Sequence, residues 1–317
     1  MPGNPFEPRM QKISAVFFGT REFAATILKG LIDSPVIDIR LVLTQPDRPA
    51  GRTQAIEAPP VKIMATNHGL QVEQPPSLKT YALPKAAYDI GITAEYGLLI
   101  PKHVLESPRH GILNVHTSLL PKYRGASPIQ SAILNGDTET GVTIMKIDVG
   151  LDTGPILLQK KIPIHEHESF GEVEKKLAQL GVSLLYEAIP AYIDGRLVPV
   201  PQEHDQATAC RELTRRDGQI DWQKSSTEIY NQYRALAPWP GVWSVWQGKR
   251  VKFLEIEPLG DRLPPGAVRA KDGTLLVGCA GGSVEIKKIQ LEGKKAMSAA
   301  DFIHGYGEEL EHAIFGT

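Results

Sequence analysis

The chain has 317 residues, of which 42% are hydrophobic and 22% are charged, so we expect a soluble globular protein with two domains. The formal net charge of −1 excludes a strongly basic protein, and any RNA contact must depend on local positive charge. Cys210 and Cys279 form no Cys-x-x-Cys pair. This excludes a sulfur-ligated zinc site and favours a reducing compartment.

The sequence also lacks the patterns of a membrane helix, a signal peptide and a metal-binding helix. No apolar run reaches the roughly 20 residues of a membrane helix, and the first residues lack the apolar segment of a signal peptide. We therefore expect a cytoplasmic monomer without membrane contact, in which residues 1–10 form a disordered extension. The His-Glu-His-Glu run at 165–168 lacks the i, i+4 histidine pair of a metal helix, so no metal is expected.

The first two hundred residues alternate between predicted strands and helices. Residues 13–18 form a short apolar run that ends at Gly19 and is followed by a helical pattern, with further strands at 37–44, 71–73 and 88–93 and a helix at 60–68. A lone Gly-Thr turn is not the dinucleotide fingerprint, which argues against a dinucleotide cofactor. The pattern predicts an α/β domain over residues 11–198, Rossmann-like, with a mostly parallel sheet.

Residues 44–60 are rich in Pro and Gly, which predicts an irregular loop without regular elements. The loop carries Arg48 and Arg52. Two arginines in a mobile loop can close over an anionic substrate. The alternative is a solvated loop whose arginines have no special role.

Polar residues at the end of a later strand indicate the chemistry. Asn114 and His116 alternate along a strand and so share a face at its carboxyl end, where open α/β sheets bind ligands. The polar turn 148–155 adds a carboxylate from either Asp148 or Asp152. Amide, imidazole and carboxylate suffice for acyl transfer. Because Ser118 precedes Leu-Leu-Pro and not the helix of a nucleophile elbow, direct attack by an amine is favoured.

The composition changes after a polar, Pro-containing linker at 199–208. Short alternating segments follow at 243–246, 251–256, 266–269, 275–279 and 283–290, separated by Gly and Asp turns. They predict a small β-barrel domain over residues 209–317, preceded by a helix through Ile229 and Leu236. Lysines of this domain, among them Lys294 and Lys295, can gather on one face and contact RNA phosphates. The alternative is that they only solvate the surface.

Four motifs together resemble the 10-formyltetrahydrofolate-dependent formyltransferases over about residues 12–310. The motifs are Asn-Val-His-x-Ser-Leu-Leu-Pro from Asn114, Tyr-Arg-Gly-Ala-x-Pro-Ile-Gln from Tyr123, Gly-Val-Thr-Ile-Met from Gly141, and Gly-Leu-Asp-Thr-Gly from Gly150. The similarity is greatest to members that act on methionyl-tRNA. One departure is Thr117, where a small glycine is usual, and a β-branched residue leaves less room there.

The resemblance implies residue roles. It implies that Asn114, His116 and Asp152 are catalytic. It also implies that 10-formyltetrahydrofolate is the co-substrate and that its site is lined by Ser118, Leu119, Leu120, Pro121, Tyr96, Gly97 and Leu98. The implied fold is the formyltransferase fold followed by an OB-like barrel. The implied acceptor is initiator methionyl-tRNA, contacted by Arg48, Arg52, Lys294 and Lys295. Two alternatives stay open: an amino-sugar nucleotide as acceptor, and a non-catalytic RNA-binding protein.

Overall fold

The computed structural model describes residues 12–51 and 54–316. The predicted N-terminal extension lies outside this range. In chain order the elements are β1 Ile13–Gly19, α1 Glu22–Ile32, β2 Ile37–Leu43, β3 Arg48–Ala50, β4 Ala55–Glu57, α2 Pro60–Asn67, β5 Val72–Glu73, β6 Ile90–Ala94, α3 Lys102–Leu105, β7 Ile112–His116, β8 Arg124–Gly125, α4 Pro128–Leu134, β9 Glu139–Lys146, β10 Ile156–Pro163, α5 Phe170–Ile193, β11 Ala209–Cys210, α6 Ser226–Leu236, β12 Val242–Trp246, β13 Lys249–Leu259, β14 Val268–Lys271, β15 Thr274–Cys279, β16 Gly282–Leu291, β17 Met297–Ser298 and α7 Ala299–Leu310.

These elements form two compact units, each drawn from several stretches of the chain. The first comprises the chain up to Arg124, residues 141–162 and residues 174–209. The second comprises residues 125–140, 163–173 and the chain from Cys210 onward. The sequence-based boundary at 199–208 stays a prediction.

A seven-stranded sheet organises the first unit, with strand order β10-β9-β7-β6-β1-β2-β5. The pairs β1–β2, β1–β6, β2–β5 and β6–β7 are parallel, whereas β7 and β9 are antiparallel. The mostly parallel sheet predicted from the sequence is therefore confirmed. The inner strand β1 is buried on both faces, because the consecutive residues Phe17 and Phe18 are both 0% exposed, which explains why its sequence is continuously apolar.

The second unit is built on an antiparallel sheet with strand order β12-β13-β16-β15-β14, to which β17 adds beside β16. Aromatic rings fill its core, including Trp222 against Phe253 and Trp246 against Phe302. Helix α6 begins with a capping box between Ser225 and Glu228, which satisfies free amides at the helix start. The separate C-terminal β domain predicted from the sequence is confirmed, and its sheet is antiparallel. Helix α7 was not predicted from the sequence.

Residues 44–60 contain a short hairpin, so the prediction of a loop without regular elements was wrong. Strands β3 and β4 pair in antiparallel register, with Arg48 opposite Glu57. The base of the hairpin is fixed by Asp47, which accepts hydrogen bonds from Lys62 (2.7 and 2.9 Å) and Gln74 (2.7 Å). Lys62 and Gln74 together hold the pKa of Asp47 below its usual range. Tertiary contacts at the base override the weak strand propensity of a Pro-rich sequence.

Among the helices of residues 12–51 and 54–316, none has the length and apolar character needed to cross a membrane.

Three carboxylates of the first unit interact near the start of α5: Glu174, Glu95 and Glu22. Burial raises the pKa of Glu174 to about 7, and the neighbouring carboxylates of Glu95 and Glu22 add to this effect while Arg21 opposes it. Desolvation also raises the pKa of Glu95, which follows β6 in the left-handed region at φ +42°. Ionisation of Glu174 is therefore unfavourable in the folded chain.

We predict that Glu174→Gln stabilises the protein at neutral and alkaline pH and not near pH 4.5. The folded chain holds this proton more tightly than the unfolded chain, so native stability falls as the pH rises from about 4.5 to about 7 and stays reduced above it. The Gln variant should show a higher Tm than the parent at pH 8 and an unchanged Tm near pH 4.5. Glu187→Gln, on an exposed position of the same helix, is the matched control. Equal Tm differences at both pH values would contradict the prediction.

Candidate active site

Strand β7 carries the polar pair predicted from the sequence. Asn114 pairs with Thr93 of β6 on one side and with Met145 of β9 on the other, and His116 is the last residue of the strand. Both side chains project from the same face because they are two residues apart. His116 is only 5% exposed, so its imidazole lies in a site largely closed to bulk water.

The protonation pattern of His116 follows from its partners. Its Nε2 lies 3.0 Å from the carbonyl oxygen of Tyr123. A carbonyl only accepts hydrogen bonds, so Nε2 carries a hydrogen in every protonation state. In the neutral ring Nδ1 therefore holds the lone pair, and it lies 3.7 Å from Oδ2 of Asp152. The side of the ring that gains and loses a proton faces the carboxylate.

Asp152 lies on a turn whose shape is set by Asp148. Oδ1 of Asp148 accepts hydrogen bonds from the amide of Gly150 (3.0 Å) and the hydroxyl of Thr153 (2.7 Å). A Cβ at Gly154 would lie 1.9 Å from the carbonyl oxygen of Lys146, so only glycine fits there. Asp148 braces the turn, and Asp152 reaches Asn114 with Oδ1 3.5 Å from Nδ2.

The loop after β7 contains four of the seven residues implied for folate binding. Ser118 is fully buried, and its hydroxyl donates to the carbonyl of Lys122 at 2.6 Å. Leu120 is also buried, whereas Leu119 and Pro121 keep partial exposure. Ser118 and Leu120 therefore shape the loop, and Leu119 and Pro121 present its surface.

A second loop emerges from the adjacent strand β6. The carbonyl of Tyr96 accepts hydrogen bonds from Thr20 (2.8 Å) and Gln45 (2.7 Å), so this carbonyl fixes the loop. Gly97 adopts φ +75°, and Leu98 is half-buried. Beside them Leu99 is 78% exposed. The loop thus offers an apolar surface next to the strand that carries Asn114.

Three of the four residues implied for RNA contact are described by the structure. Arg48 is exposed on the β3–β4 hairpin of the first unit, and Arg52 lies outside the described residues. Lys294 and Lys295 are exposed in the turn between β16 and β17 of the second unit.

Several residues of the site escaped the sequence analysis. Thr143 on β9 is fully buried, donates to the carbonyl of Ser118 (2.6 Å), and accepts from the amide of Leu120 (3.2 Å) and from Gln159 (2.8 Å). Its only sequence signal was a polar residue inside an apolar strand.

Within the described ranges, no group of three His, Cys, Asp or Glu side chains is placed to hold a metal ion.

Comparison with known proteins identifies the family. Residues 11–189 match the model of the formyl transferase family, and residues 212–307 match the formyl transferase C-terminal domain. The chain belongs to the formyl transferase family. The family resemblance read from the four motifs is confirmed.

Full-length relatives and a solved structure support the same placement of this formyl transferase. It is 44% identical over 298 residues to a methionyl-tRNA formyltransferase of Acidobacterium capsulatum, covering 92% of this chain and 96% of the relative. It is 42% identical over 301 residues to a methionyl-tRNA formyltransferase of Caldicellulosiruptor saccharolyticus, with the same coverage. An N-formyltransferase from Helicobacter canadensis, solved with folinic acid and dTDP-3-aminofucose, shares the fold at TM-score 0.65 and 19% identity, covering 87% of this chain and 99% of that one.

We predict that Thr143→Val destabilises this formyl transferase by about 2 kcal/mol, because valine leaves buried partners of the hydroxyl unpaired. The free energy of unfolding in urea gives the measurement. Thr143→Ser keeps the hydroxyl and serves as the control. A valine variant as stable as the serine variant would show that the hydroxyl does not hold the 118–121 loop.

Proposed function

We propose that this chain transfers the formyl group of 10-formyltetrahydrofolate to the α-amino group of methionine esterified to initiator tRNA. The likeness to methionyl-tRNA formyltransferases at 42–44% identity over 92% of the chain carries the proposal. The grouping of Asn114, His116 and Asp152 supports it, because amide, imidazole and carboxylate supply what direct acyl transfer to an amine requires.

His116 manages the proton in the first step. The neutral amine attacks the formyl carbon, a C–N bond forms, and the carbonyl electron pair moves to oxygen. Nδ1 of His116 takes the proton that the nitrogen loses, because Nε2 is already protonated toward Tyr123. The imidazolium then faces the carboxylate of Asp152 at 3.7 Å, which stabilises the new positive charge.

Asn114 and His116 act on the oxyanion and on the leaving nitrogen. The amide of Asn114 donates to the oxyanion, and loss of one such donor typically raises the barrier by about 3–4 kcal/mol. In the second step His116 returns its proton to N10 as the C–N10 bond breaks. Formylated amine and tetrahydrofolate leave, and the neutral imidazole is restored.

The two loops at the ends of β6 and β7 fit a flat, partly apolar donor. Leu119, Pro121 and Leu98 keep partial exposure and Leu99 is largely exposed, so apolar side chains are available to cover a ring system. The left-handed conformation at Gly97 allows close backbone approach. The exposed apolar side chains and the conformation of Gly97 support the folate-lining roles that the resemblance implies.

A cationic and aromatic face on the second unit supports an RNA acceptor. In the β12–β13 pair the guanidinium of the exposed Arg250 lies 4.2 Å from the ring centroid of Trp243, which is itself only 9% exposed. The exposed Lys252 lies directly opposite Trp243. The indole of Trp243 donates to the carbonyl of Arg215 at 3.0 Å. Both Arg215 and its neighbour Arg216 are exposed.

The loop between α6 and β12 carries an exposed indole. A Cβ at Gly218 would lie 2.0 Å from the carbonyl oxygen of Gly241, so the Arg215–Gly218 turn packs closely on the loop that contains Trp239. Trp239 is 56% exposed. Guanidinium, ammonium and exposed indole groups are the set that binds phosphates and stacks on bases.

An amino-sugar nucleotide is the second candidate acceptor, since the Helicobacter canadensis enzyme was solved with dTDP-3-aminofucose. A formyl-transfer assay with charged initiator tRNA and with a dTDP-linked amino sugar separates the two. Transfer to tRNA alone is expected. Transfer to the sugar alone would overturn the proposal, and transfer to neither would favour a non-catalytic RNA-binding protein.

We predict that His116→Ala and Asp152→Asn each lower kcat by about 10²- to 10⁴-fold, because both remove part of the proton relay. The Tm should stay close to that of the parent. Asp148→Asn is the control, since Asp148 braces the turn without facing Nδ1. A small loss in Asp152→Asn with a large loss in Asp148→Asn would transfer the catalytic role to Asp148.

We predict that RNA contacts weaken as salt rises, because each phosphate contact releases counterions. Arg250→Ala with Lys252→Ala, and Lys294→Ala with Lys295→Ala, should raise the KM for charged tRNA without changing the KM for 10-formyltetrahydrofolate. Arg48→Glu should raise the same KM. Lys271→Ala, an exposed lysine on the opposite edge strand, is the control. Unchanged tRNA kinetics in all three variants at low salt would place the acceptor contact elsewhere.

A further inference from the structure

A buried glutamine links the turn that carries Asp152 to the loop that carries Tyr123, the hydrogen-bond partner of His116. Gln202 is 6% exposed. Its Nε2 donates to the carbonyl oxygen of Asp152 at 2.9 Å and to that of Gly154 at 2.7 Å. Both hydrogens of the amide nitrogen are thus used on the turn that carries the catalytic carboxylate.

The other end of the same amide reaches the loop that carries the partner of His116. Oε1 of Gln202 accepts two hydrogen bonds from Arg124, from Nε at 3.1 Å and from Nη2 at 2.6 Å. Arg124 directly follows Tyr123, whose carbonyl accepts the hydrogen bond from Nε2 of His116. One side chain therefore bridges the segments on either side of the imidazole, and four hydrogen bonds fix its orientation.

The direct contacts between Asp152 and the other two catalytic groups are long. Asp152 lies 3.5 Å from the amide of Asn114 and 3.7 Å from the imidazole of His116, beyond the usual hydrogen-bond range of about 2.7–3.2 Å. Asp152 also adopts φ +51°, a conformation that costs a non-glycine residue about 1–2 kcal/mol. The hydrogen bonds from Gln202 to the carbonyls of Asp152 and Gly154 help to hold this conformation.

We infer that Gln202 is a positioning residue for formyl transfer, which holds the Asp152 turn at its working distance from His116. This inference depends on the proposed function. Gln202 acts through the main chain of Asp152 and through Arg124, and it does not contact the reacting atoms. Displacement of a catalytic group by about 1 Å can cost about 10²-fold in rate, so the effect should appear in kcat.

The first test compares Gln202→Leu with Gln206→Leu, an exposed glutamine in the same segment. With charged initiator tRNA, assayed well below the Tm of the variant, Gln202→Leu should lower kcat by about 10- to 100-fold while both KM values stay near those of the parent. Its Tm should fall, because leucine leaves the buried partners of the amide unpaired. Gln206→Leu should match the parent. Parent activity in the same assay tests the proposed function separately. A kcat close to that of the parent, or a loss confined to KM, would overturn the inference.

A double-mutant cycle distinguishes positioning from general support of the fold. If Gln202 acts through Asp152, then Gln202→Leu should change kcat little in the Asp152→Asn background, measured by single turnover, because the effects of coupled residues do not add. Additive losses would overturn the inference. Should the leucine variant fail to fold, Gln202→Glu takes its place in both tests. Glutamate keeps the size and the acceptor for Arg124, and its carboxylate cannot donate to the two carbonyls.

Discussion

The hydrogen bond between Nε2 of His116 and the carbonyl of Tyr123 is the constraint on which the rest of the site depends. It settles which nitrogen of the ring is free to exchange a proton, and it does so without a second titratable group. The exchangeable nitrogen is Nδ1, on the opposite side of the ring. The carboxylate of Asp152 faces it, the amide of Asn114 shares its side of the sheet, and the surrounding strands exclude water.

The sheet explains why these groups meet. β7 runs parallel to β6 but antiparallel to β9, so the strand that carries Asn114 and His116 lies where the strand direction reverses. The loops after β6 and β7 leave the same edge of the sheet, and Thr143 of β9 ties the second loop down. Ligand sites of open α/β sheets form where such crevices open at the carboxyl ends of strands.

Much of this was accessible from the sequence. Alternation of polar residues placed Asn114 and His116 correctly on a strand end, because strand periodicity is a local property. The roles of Thr143, Gln159 and Gln202 could not be predicted from the sequence, because each depends on contacts between residues far apart in the chain. The stack of Arg250 on Trp243 was missed for the same reason, since it requires the register of β12 on β13. Helix α7 was missed because its glycines at 305 and 307 weaken the helical pattern.

The β3–β4 hairpin has a consequence for the entropy of binding. Its strands are already paired, and Asp47 fastens its base through Lys62 and Gln74. A flexible loop that becomes ordered on a partner loses backbone freedom at that moment, which weakens the complex. In this chain most of that ordering is completed during folding. An RNA contact of Arg48, as proposed above, would therefore start from a preformed arm, so more of the free energy of that contact would remain available for affinity.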